Sequence, residues 1–381
     1  MKVSSVVTTA AALLAILLGG AQAQEGPIKV GTIFPLSGGA GPQGTHVTQA
    51  IQAMAAIINE DGGVMGRQIE ILTGDDQSKP AVGVSRATEM ISDGVSVIIE
   101  GWNSPVTLAM QPVIARADVL DLTAISKADA ILSGEGNPLA VRFNSSNSQD
   151  GQIIAKYIAD KGYNKIAFLT ENGAYGEGAQ ASIEAGLKEL NHEYTIVAQE
   201  NFPFEQADFR VALTNVKAAN PEVTIAINAN EGLGMPALIR QARQSRLDGD
   251  LVAAVGTVAP SVIQVAGAAA DGVIGADIYF PNVEPFASFE ANKRFVAKTE
   301  EMFDYTPDKF MALGALALQV WAMAANELNT LDKAAIAERI RGGSFEGTIM
   351  GDITFEPNGQ LKSKHYLFDI KDQNIVVRQN G

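Results

Sequence analysis

Short aliphatic runs alternate with longer amphipathic stretches along almost the whole chain after Pro27. In the first half, four such runs predict β-strands, at residues 28–33, 68–72, 95–99 and 120–124. Alternating strands and helices are typical of βαβ units, in which helices cover the faces of a parallel sheet. We therefore predict an α/β fold.

The stretches between these runs have the periodicity of helices. Between the first two runs, residues 45–59 carry apolar side chains at helical spacing, namely Val47, Ala50, Ile51, Met54, Ile57 and Ile58. Such spacing predicts a helix that buries one face against the sheet.

A second series of strands and helices follows the first. Its strands are predicted at residues 166–169, 195–197, 224–227, 251–255 and 273–276. Its helices are predicted at residues 148–160, 176–190, 209–218 and 236–243. So many parallel strands exceed what one domain usually holds, which favours two sheets. The polar stretch 144–148 predicts a crossing between them.

The last quarter of the chain turns helical and then returns to strands. Helices are predicted at residues 287–302 and 309–328, and short strands near 353–355, 365–370 and 374–378. Residues 310–325 are apolar all round, but Gln319 interrupts them and they are fewer than the roughly 20 residues that cross a membrane. We therefore expect a buried helix, packed on the first domain.

The first 23 residues have the pattern of a removable export signal. Lys2 gives a positive start, residues 6–18 are apolar but too few to span a bilayer, and residues 21–23 (Ala-Gln-Ala) form a small-x-small cleavage site. Two glycines end the apolar run early, which disfavours an uncleaved anchor helix. Since the chain has no cysteine for lipid attachment, we expect a free mature protein in the periplasm.

Charge and motifs exclude several functions. A formal net charge of −15 argues against binding to nucleic acid or anionic lipid. The three histidines stand apart, and the sequence has no metal-site spacing, no P-loop and no G-x-S-x-G elbow. Asp75 and Asp76 could form an acid/base pair, but adjacent carboxylates at a strand end more often bond backbone amides. We therefore expect no catalytic residue, metal or cofactor.

Polar loops follow several predicted strands at their carboxyl ends, where open α/β sheets bind ligands. These loops are residues 37–39, 102–104, 126, 171–175 and 228–231. Ser104 and Ser126 could instead cap helices, and Tyr175 could be a packing residue. Trp102 is harder to explain that way, because an aromatic side chain in such a loop often lines a pocket. Since the loops come from both halves, they predict a site in a cleft between two domains.

Several short motifs resemble those of the periplasmic branched-chain amino-acid-binding proteins, the solute receptors of ABC importers with the type I bilobed fold. In chain order they are residues 28–31 leading to 35–38, 57–59 to 62–66, 75–76 with 80–82, 149–151 with 155–158, 175–178 (Tyr-Gly-Glu-Gly) and 240–243 (Arg-Gln-Ala-Arg). Their order and spacing, over nearly the whole mature chain, are more specific than any one of them.

The resemblance implies two doubly wound parallel-sheet lobes, joined by a three-segment hinge that closes like a Venus flytrap on a small solute. The first lobe would comprise residues 26–145 and 279–352, and the second residues 146–278 and 353–381. The implied function is capture of the solute by a monomer and its delivery to an inner-membrane ABC permease, without catalysis. A ligand sensor of the same fold that signals through a partner protein is the alternative.

The resemblance also assigns ligand-binding residues. Ser104 falls where the family places a serine against the ligand carboxylate, and Ser126, with Ile125 before it, falls at or next to a second carboxylate-binding position. Tyr175 matches an aromatic that contacts the ligand from the other lobe.

Three features depart from the family. Residues 253–258 hold no acid where amino-acid receptors carry a glutamate for the ligand ammonium, and Glu231 in the neighbouring loop is the candidate to replace it. Gln43 stands where branched-chain binders tend to carry an aromatic, and Trp102 with Asn103 enlarges and polarises the next loop. A buried ammonium without a carboxylate is costly. The ligand is therefore left open between an amino acid and a related organic acid, amide or aromatic carboxylic acid.

Overall fold

The computed structural model describes residues 26–133 and 137–378, so the predicted signal at residues 1–23 lies outside the described residues. The chain begins with strands and helices in alternation: β1 (Ile28–Phe34), α1 (Gly41–Glu60), β2 (Ile69–Asp75), α2 (Pro80–Ser92), β3 (Val97–Glu100), α3 (Ser104–Arg116), β4 (Leu120–Thr123) and β5 (Ala140–Arg142). The five strands form one parallel sheet in the order β2-β1-β3-β4-β5. We call the unit around this sheet lobe 1.

The second series builds a separate sheet. Its elements are α4 (Asn147–Lys161), β6 (Lys165–Glu171), α5 (Ala174–Glu189), β7 (Thr195–Phe202), α6 (Arg210–Ala219), β8 (Val223–Ile227), α7 (Gly234–Ser245), β9 (Asp250–Ala253), α8 (Pro260–Ala266) and β10 (Ile274–Asp277). The five strands β6 to β10 run parallel, as predicted. We call the unit around this sheet lobe 2.

The remaining elements complete both lobes. They are α9 (Glu290–Phe303), α10 (Lys309–Leu328), α11 (Lys333–Ile340), β11 (Ser344–Thr348), β12 (Gly351–Thr354), β13 (Tyr366–Lys371) and β14 (Asn374–Val377). Helices α9 and α10 pack against α1 in lobe 1, and β11 pairs with β12 in a small antiparallel hairpin beside them. Strands β13 and β14 extend the lobe 2 sheet antiparallel to β10, giving the order β14-β13-β10-β9-β8-β6-β7.

Helix α10 is the one described helix that is long and apolar enough to cross a membrane, and most of it is buried inside the protein. It begins at Lys309 because the carboxylate of Asp308 accepts hydrogen bonds from the N–H groups of Phe310 and Met311. Its side chains, including the fully buried Trp321, fill the lobe 1 core. This confirms the predicted buried helix.

The two parallel sheets share one strand order. In each, the first strand lies between the second and the third, so that the chain changes direction between β1 and β3 in lobe 1 and between β6 and β8 in lobe 2. A crevice opens at the carboxyl ends of the strands at such a point. The loops after β3, β6 and β8 therefore occupy the positions where this fold binds ligands.

The chain crosses between the sheets three times, after β5, after β10 and between β12 and β13. The first crossing is polar, as predicted, but residues 143–147 are all buried. Ser146 begins α4 with a capping box, in which its hydroxyl accepts the Gln149 N–H and the Gln149 side chain accepts the Ser146 N–H. The exact lobe boundaries given above remain predictions.

Two strands were not predicted from the sequence. β5 has three residues, too few for a periodic pattern, and β11 belongs to a hairpin with a register shift. Other boundaries differ by a few residues, as for β7, which continues to Phe202. The α/β class with two parallel sheets is confirmed.

Candidate functional site

A cavity lies between the lobes, at the carboxyl ends of both parallel sheets. Lobe 1 supplies Trp102, Asn103, Ser104, Pro105, Ile125, Lys127 and Phe310. Lobe 2 supplies Glu171, Tyr175, Ala229, Glu231, Val255, Gly256 and Thr257. Since both lobes supply lining residues, the cavity is enclosed only when the two lobes face each other.

The turn between β3 and α3 forms one wall. Asn103 precedes α3 without capping it through its side chain, and its Oδ1 is buried without a hydrogen-bond partner among the described residues. The Ser104 Oγ accepts the N–H groups of Lys127 and Ala128, each at 3.2 Å. Both lone pairs of that oxygen are thus used, which leaves its O–H to donate towards the cavity. The alternative role of Ser104 as a helix cap is not what the structure shows.

Aromatic rings form the apolar part of the wall. The rings of Trp102 and Phe310 pack with centroids 4.9 Å apart and a tilt of 46°. Tyr175, in the first turn of α5, is buried on the opposite side, and burial raises the pKa of its hydroxyl well above the usual value. The cavity can therefore hold an apolar body between flat rings, with a neutral hydroxyl beside it.

Two glutamates lie on the lobe 2 side. Burial raises the pKa of Glu171 to about 7, although its Oε2 accepts the Ala229 N–H at 2.6 Å. Burial also raises the pKa of Glu231 well above its ordinary value, against the opposing effect of Lys309. Glu231 is 2% exposed, and its Oε2 has no hydrogen-bond partner among the described residues. A buried carboxyl oxygen without a hydrogen-bond partner favours a solute that brings a hydrogen-bond donor.

Lys127 joins the lobes at the floor of the cavity. Its Nζ lies 2.5 Å from Asp150 Oδ2 on α4 and donates to the Val255 carbonyl oxygen at 2.8 Å. The other Asp150 oxygen lies 2.8 Å from His365 Nε2. Burial works against ionisation of Asp150, but Lys127 and His365 outweigh it and lower its pKa to about 2.

The described residues contain no group of three or more histidine, cysteine, aspartate or glutamate side chains that could hold a metal ion. Asp75 accepts hydrogen bonds from the Leu36 and Gln77 N–H groups and from the Ser37 hydroxyl, while Asp76 accepts the Ser78 N–H. This is the bonding expected of carboxylates that hold a loop in place rather than of an acid/base pair.

The family model of periplasmic binding proteins matches residues 27–374, which is most of the chain. This chain belongs to the periplasmic binding protein family. The resemblance predicted from the sequence is thereby confirmed. The chain is a solute-binding protein of the ABC-transporter class and not an enzyme.

Similarity to individual proteins is distant but covers nearly the whole length. The chain is 25% identical to the Leu/Ile/Val-binding protein of Escherichia coli K12 over 90% of both chains. It is also 25% identical to the Leu/Ile/Val-binding protein homolog 1 of Brucella suis over 93% of both.

Solved structures share the fold. A leucine-binding protein from Thermotoga maritima superposes with a TM-score of 0.81 at 24% identity, over 92% of this chain and 97% of that one. A solute-binding protein from Rhodopseudomonas palustris in complex with benzoate gives the same TM-score at 22% identity, over 92% and 95%. The type I periplasmic binding fold is therefore confirmed.

Six of the eight predicted ligand-binding residues line the cavity of this binding protein. They are Trp102, Asn103, Ser104, Ile125, Tyr175 and Glu231. Ser126 lies behind the wall, where its hydroxyl is 2.8 Å from that of Thr107. Gln43 lies at the rim, beside Gly232 of the opposite lobe, and its Oε1 is buried without a partner.

Other lining residues were not singled out from the sequence. Lys127 and Phe310 are the main ones, because both place large side chains in the wall. Phe310 was assigned to a buried helix, and nothing in its periodicity distinguishes a residue at the helix start from the rest of the core. Lys127 directly follows Ser126 in a loop already assigned to the site, and that position was the available signal.

Proposed function

We propose that this protein captures one amino acid in the cavity between its lobes, as a periplasmic monomer exported by a cleaved signal, and delivers it to an inner-membrane ABC permease. The observation that carries the amino-acid assignment is the unpartnered carboxyl oxygen of Glu231 in the cavity wall. A ligand ammonium beside Glu231 would supply the missing donor and the compensating charge.

The opposite wall suits the carboxylate of the same solute. Pro105 has no N–H, and the N–H groups of Val106 and Thr107 bond to the Asn103 carbonyl oxygen. This leaves the N–H and O–H of Ser104 as donors at the positive end of helix α3. Ammonium at Glu231 and carboxylate at Ser104 would place the side chain of the solute among the aromatic rings.

A second candidate ligand is an aromatic carboxylic acid. The rings of Trp102, Phe310 and Tyr175 favour it, since they can sandwich a flat apolar group. A carboxylate at Ser104 would be bound in the same way, but Glu231 would then have to remain protonated. The R. palustris solute-binding protein of the same fold, solved in complex with benzoate, supports this candidate.

Thermal denaturation of the purified mature protein with leucine, 4-methylpentanoate and benzoate tests the proposal. A bound solute at a hundredfold excess over its dissociation constant should add about 2.7 kcal/mol of stability. We expect leucine to stabilise the protein and 4-methylpentanoate, which differs by the amine, to have a much smaller effect.

Glu231→Gln is the matched variant, because it keeps the size of the side chain and removes its charge. It should abolish the advantage of leucine over 4-methylpentanoate. Stabilisation by benzoate and 4-methylpentanoate but not by leucine would contradict the amino-acid assignment and favour the second candidate. Stabilisation by none of the three would contradict both.

A further inference from the structure

The ammonium groups of two buried lysines of lobe 1 contact residues of lobe 2. Lys127, in the loop after β4, is 5% exposed and places its ammonium 2.5 Å from the Asp150 carboxylate and 2.8 Å from the Val255 carbonyl oxygen. Asp150 and Val255 both belong to lobe 2, in the first turn of α4 and in the loop after β9. The single charge of Lys127 is therefore compensated across the cleft.

Lys309 makes a second bridge of the same kind. It is the first residue of α10 and is 3% exposed. Its Nζ lies 3.6 Å from Asp277 Oδ1, at the end of β10, and 3.5 Å from the Gly256 carbonyl oxygen. The ring of Phe310, 3.8 Å away, covers the ammonium on the lobe 1 side.

The loop after β9 in lobe 2 lies close to both ammonium groups. Gly256 has a left-handed backbone with φ of +78°, and a Cβ added there would lie 1.9 Å from Lys309 Nζ and 3.6 Å from Lys127 Nζ. A side chain at position 256 and the bridge from Lys309 therefore exclude each other.

Separation of the lobes would return all four charged groups to water. In the closed arrangement the ion pairs of both ammonium groups are with carboxylates of the other lobe, and removal of one partner of a buried pair leaves an uncompensated charge. Other charged groups near these pairs are His365 beside Asp150, and Asp308 and Glu231 near Lys309.

We propose that Lys127 and Lys309 form an electrostatic clamp, with Asp150 and Asp277 as its partners, that sets the balance between open and closed forms. Because the clamp joins the lobes directly, it gives the protein a closed population in the absence of solute. Lys309 does not line the cavity, so it acts as a positioning residue and not as a ligand contact.

Small-angle X-ray scattering of the solute-free protein tests the clamp. Lys309→Met keeps the approximate length of the side chain and removes its charge. Asp277→Asn keeps the size of the partner side chain on lobe 2 and removes its charge. Both variants should have a larger radius of gyration than the wild type. Hydrogen exchange in the loop around residues 255–257 should be faster in both, since the loop loses its partner.

Lys298→Met is the matched control. Lys298 pairs with Glu60 and Glu301, which lie on α1 and α9 of the same lobe. Its loss should leave the radius of gyration and the exchange of the loop at wild-type values.

Three outcomes decide the proposal. A larger radius in Lys309→Met and Asp277→Asn, but not in Lys298→Met, supports the clamp. Unchanged scattering and exchange in both clamp variants would overturn it. A lower melting temperature of Lys309→Met with unchanged scattering would also overturn it, because the lysine would then stabilise the fold and not the closed form. Since Asp277→Asn probes the same pair, failure of one variant to fold leaves the other as the test.

Discussion

The Ser104 hydroxyl has a bonding pattern that an isolated serine in a loop would not have. Its oxygen accepts two backbone N–H groups, which fixes the direction of its one hydrogen. Replacement with alanine removes that donor from the cavity. We expect Ser104→Ala to weaken binding of a carboxylate-bearing solute by about 1 to 3 kcal/mol, as measured by titration calorimetry.

Ser104→Thr should restore most of the affinity because it retains the hydroxyl. Ser85→Ala, on the exposed face of α2, should bind as tightly as the wild type. Equal affinity of Ser104→Ala and Ser85→Ala would show that Ser104 does not contact the solute.

At this scale the sequence placed several residues in loops that line the cavity, but it did not give their hydrogen-bond partners. Tyr175 and Ser104 were both assigned to the site from their positions at strand ends. Whether Ser104 capped its helix or bonded the loop after β4 depended on a residue 23 positions away. No local pattern contains that information.

Loops of the two lobes meet at the rim of the cavity, in contact that involves backbone atoms. A Cβ added to Gly232, between β8 and α7, would lie 2.0 Å from the Gly39 carbonyl oxygen, between β1 and α1. Gly232 has no left-handed backbone, so alanine is compatible with the loop itself. The clash arises only when the lobes close.

We therefore expect Gly232→Ala to fold normally and to close incompletely. Its melting temperature without solute should match that of the wild type, while its radius of gyration at saturating solute should exceed that of the wild type. Leu233→Ala, at the next and exposed position, should show neither effect. Full closure of Gly232→Ala would mean that the rim loops adjust without cost.

Elements with strong periodicity were predicted from the sequence with small boundary errors. α10 was predicted with the bounds it has in the structure, since its apolar run is a local signal. β5, with three residues, is held by pairing with β4. Its existence depends on a neighbour and not on its own composition.

Among the residues that the structure describes, buried carboxyl groups with raised pKa values outnumber buried carboxyl groups with lowered ones. Burial raises the pKa of Asp76 and Asp308 to about 6 and that of Asp121 and Glu171 to about 7. Burial also raises the pKa values of Glu100 and Glu231 well above the ordinary range.

These pKa shifts determine whether the stability of the folded protein rises or falls with pH. A carboxyl with a raised pKa holds a proton in the folded state that it loses in the unfolded state. Its contribution to the stability of the folded protein is therefore fully present below the unfolded pKa and is lost as pH rises through the folded pKa. His46, whose pKa is lowered by burial, acts in the opposite direction. We expect the solute-free protein to melt at a lower temperature at about pH 7.5 than at about pH 5.5.

Differential scanning calorimetry at constant ionic strength measures this difference. Asp121→Asn should reduce it, because burial of Asp121 raises the pKa of its carboxyl to about 7. A melting temperature that rises over the same interval would contradict the prediction.

The sequence by itself determined the α/β class, the division into two sheets, several of the loops that line the cavity, and the family. These follow from periodicity and short motifs, which are properties of neighbouring residues. Tertiary structure alone decided which groups are paired. It pairs Lys127 with Asp150 and brings Lys309 next to Gly256. It also leaves one carboxyl oxygen of Glu231 without a hydrogen-bond partner among the described residues. The physical reason is that burial and electrostatic compensation depend on groups brought together across the cleft, far apart in the chain.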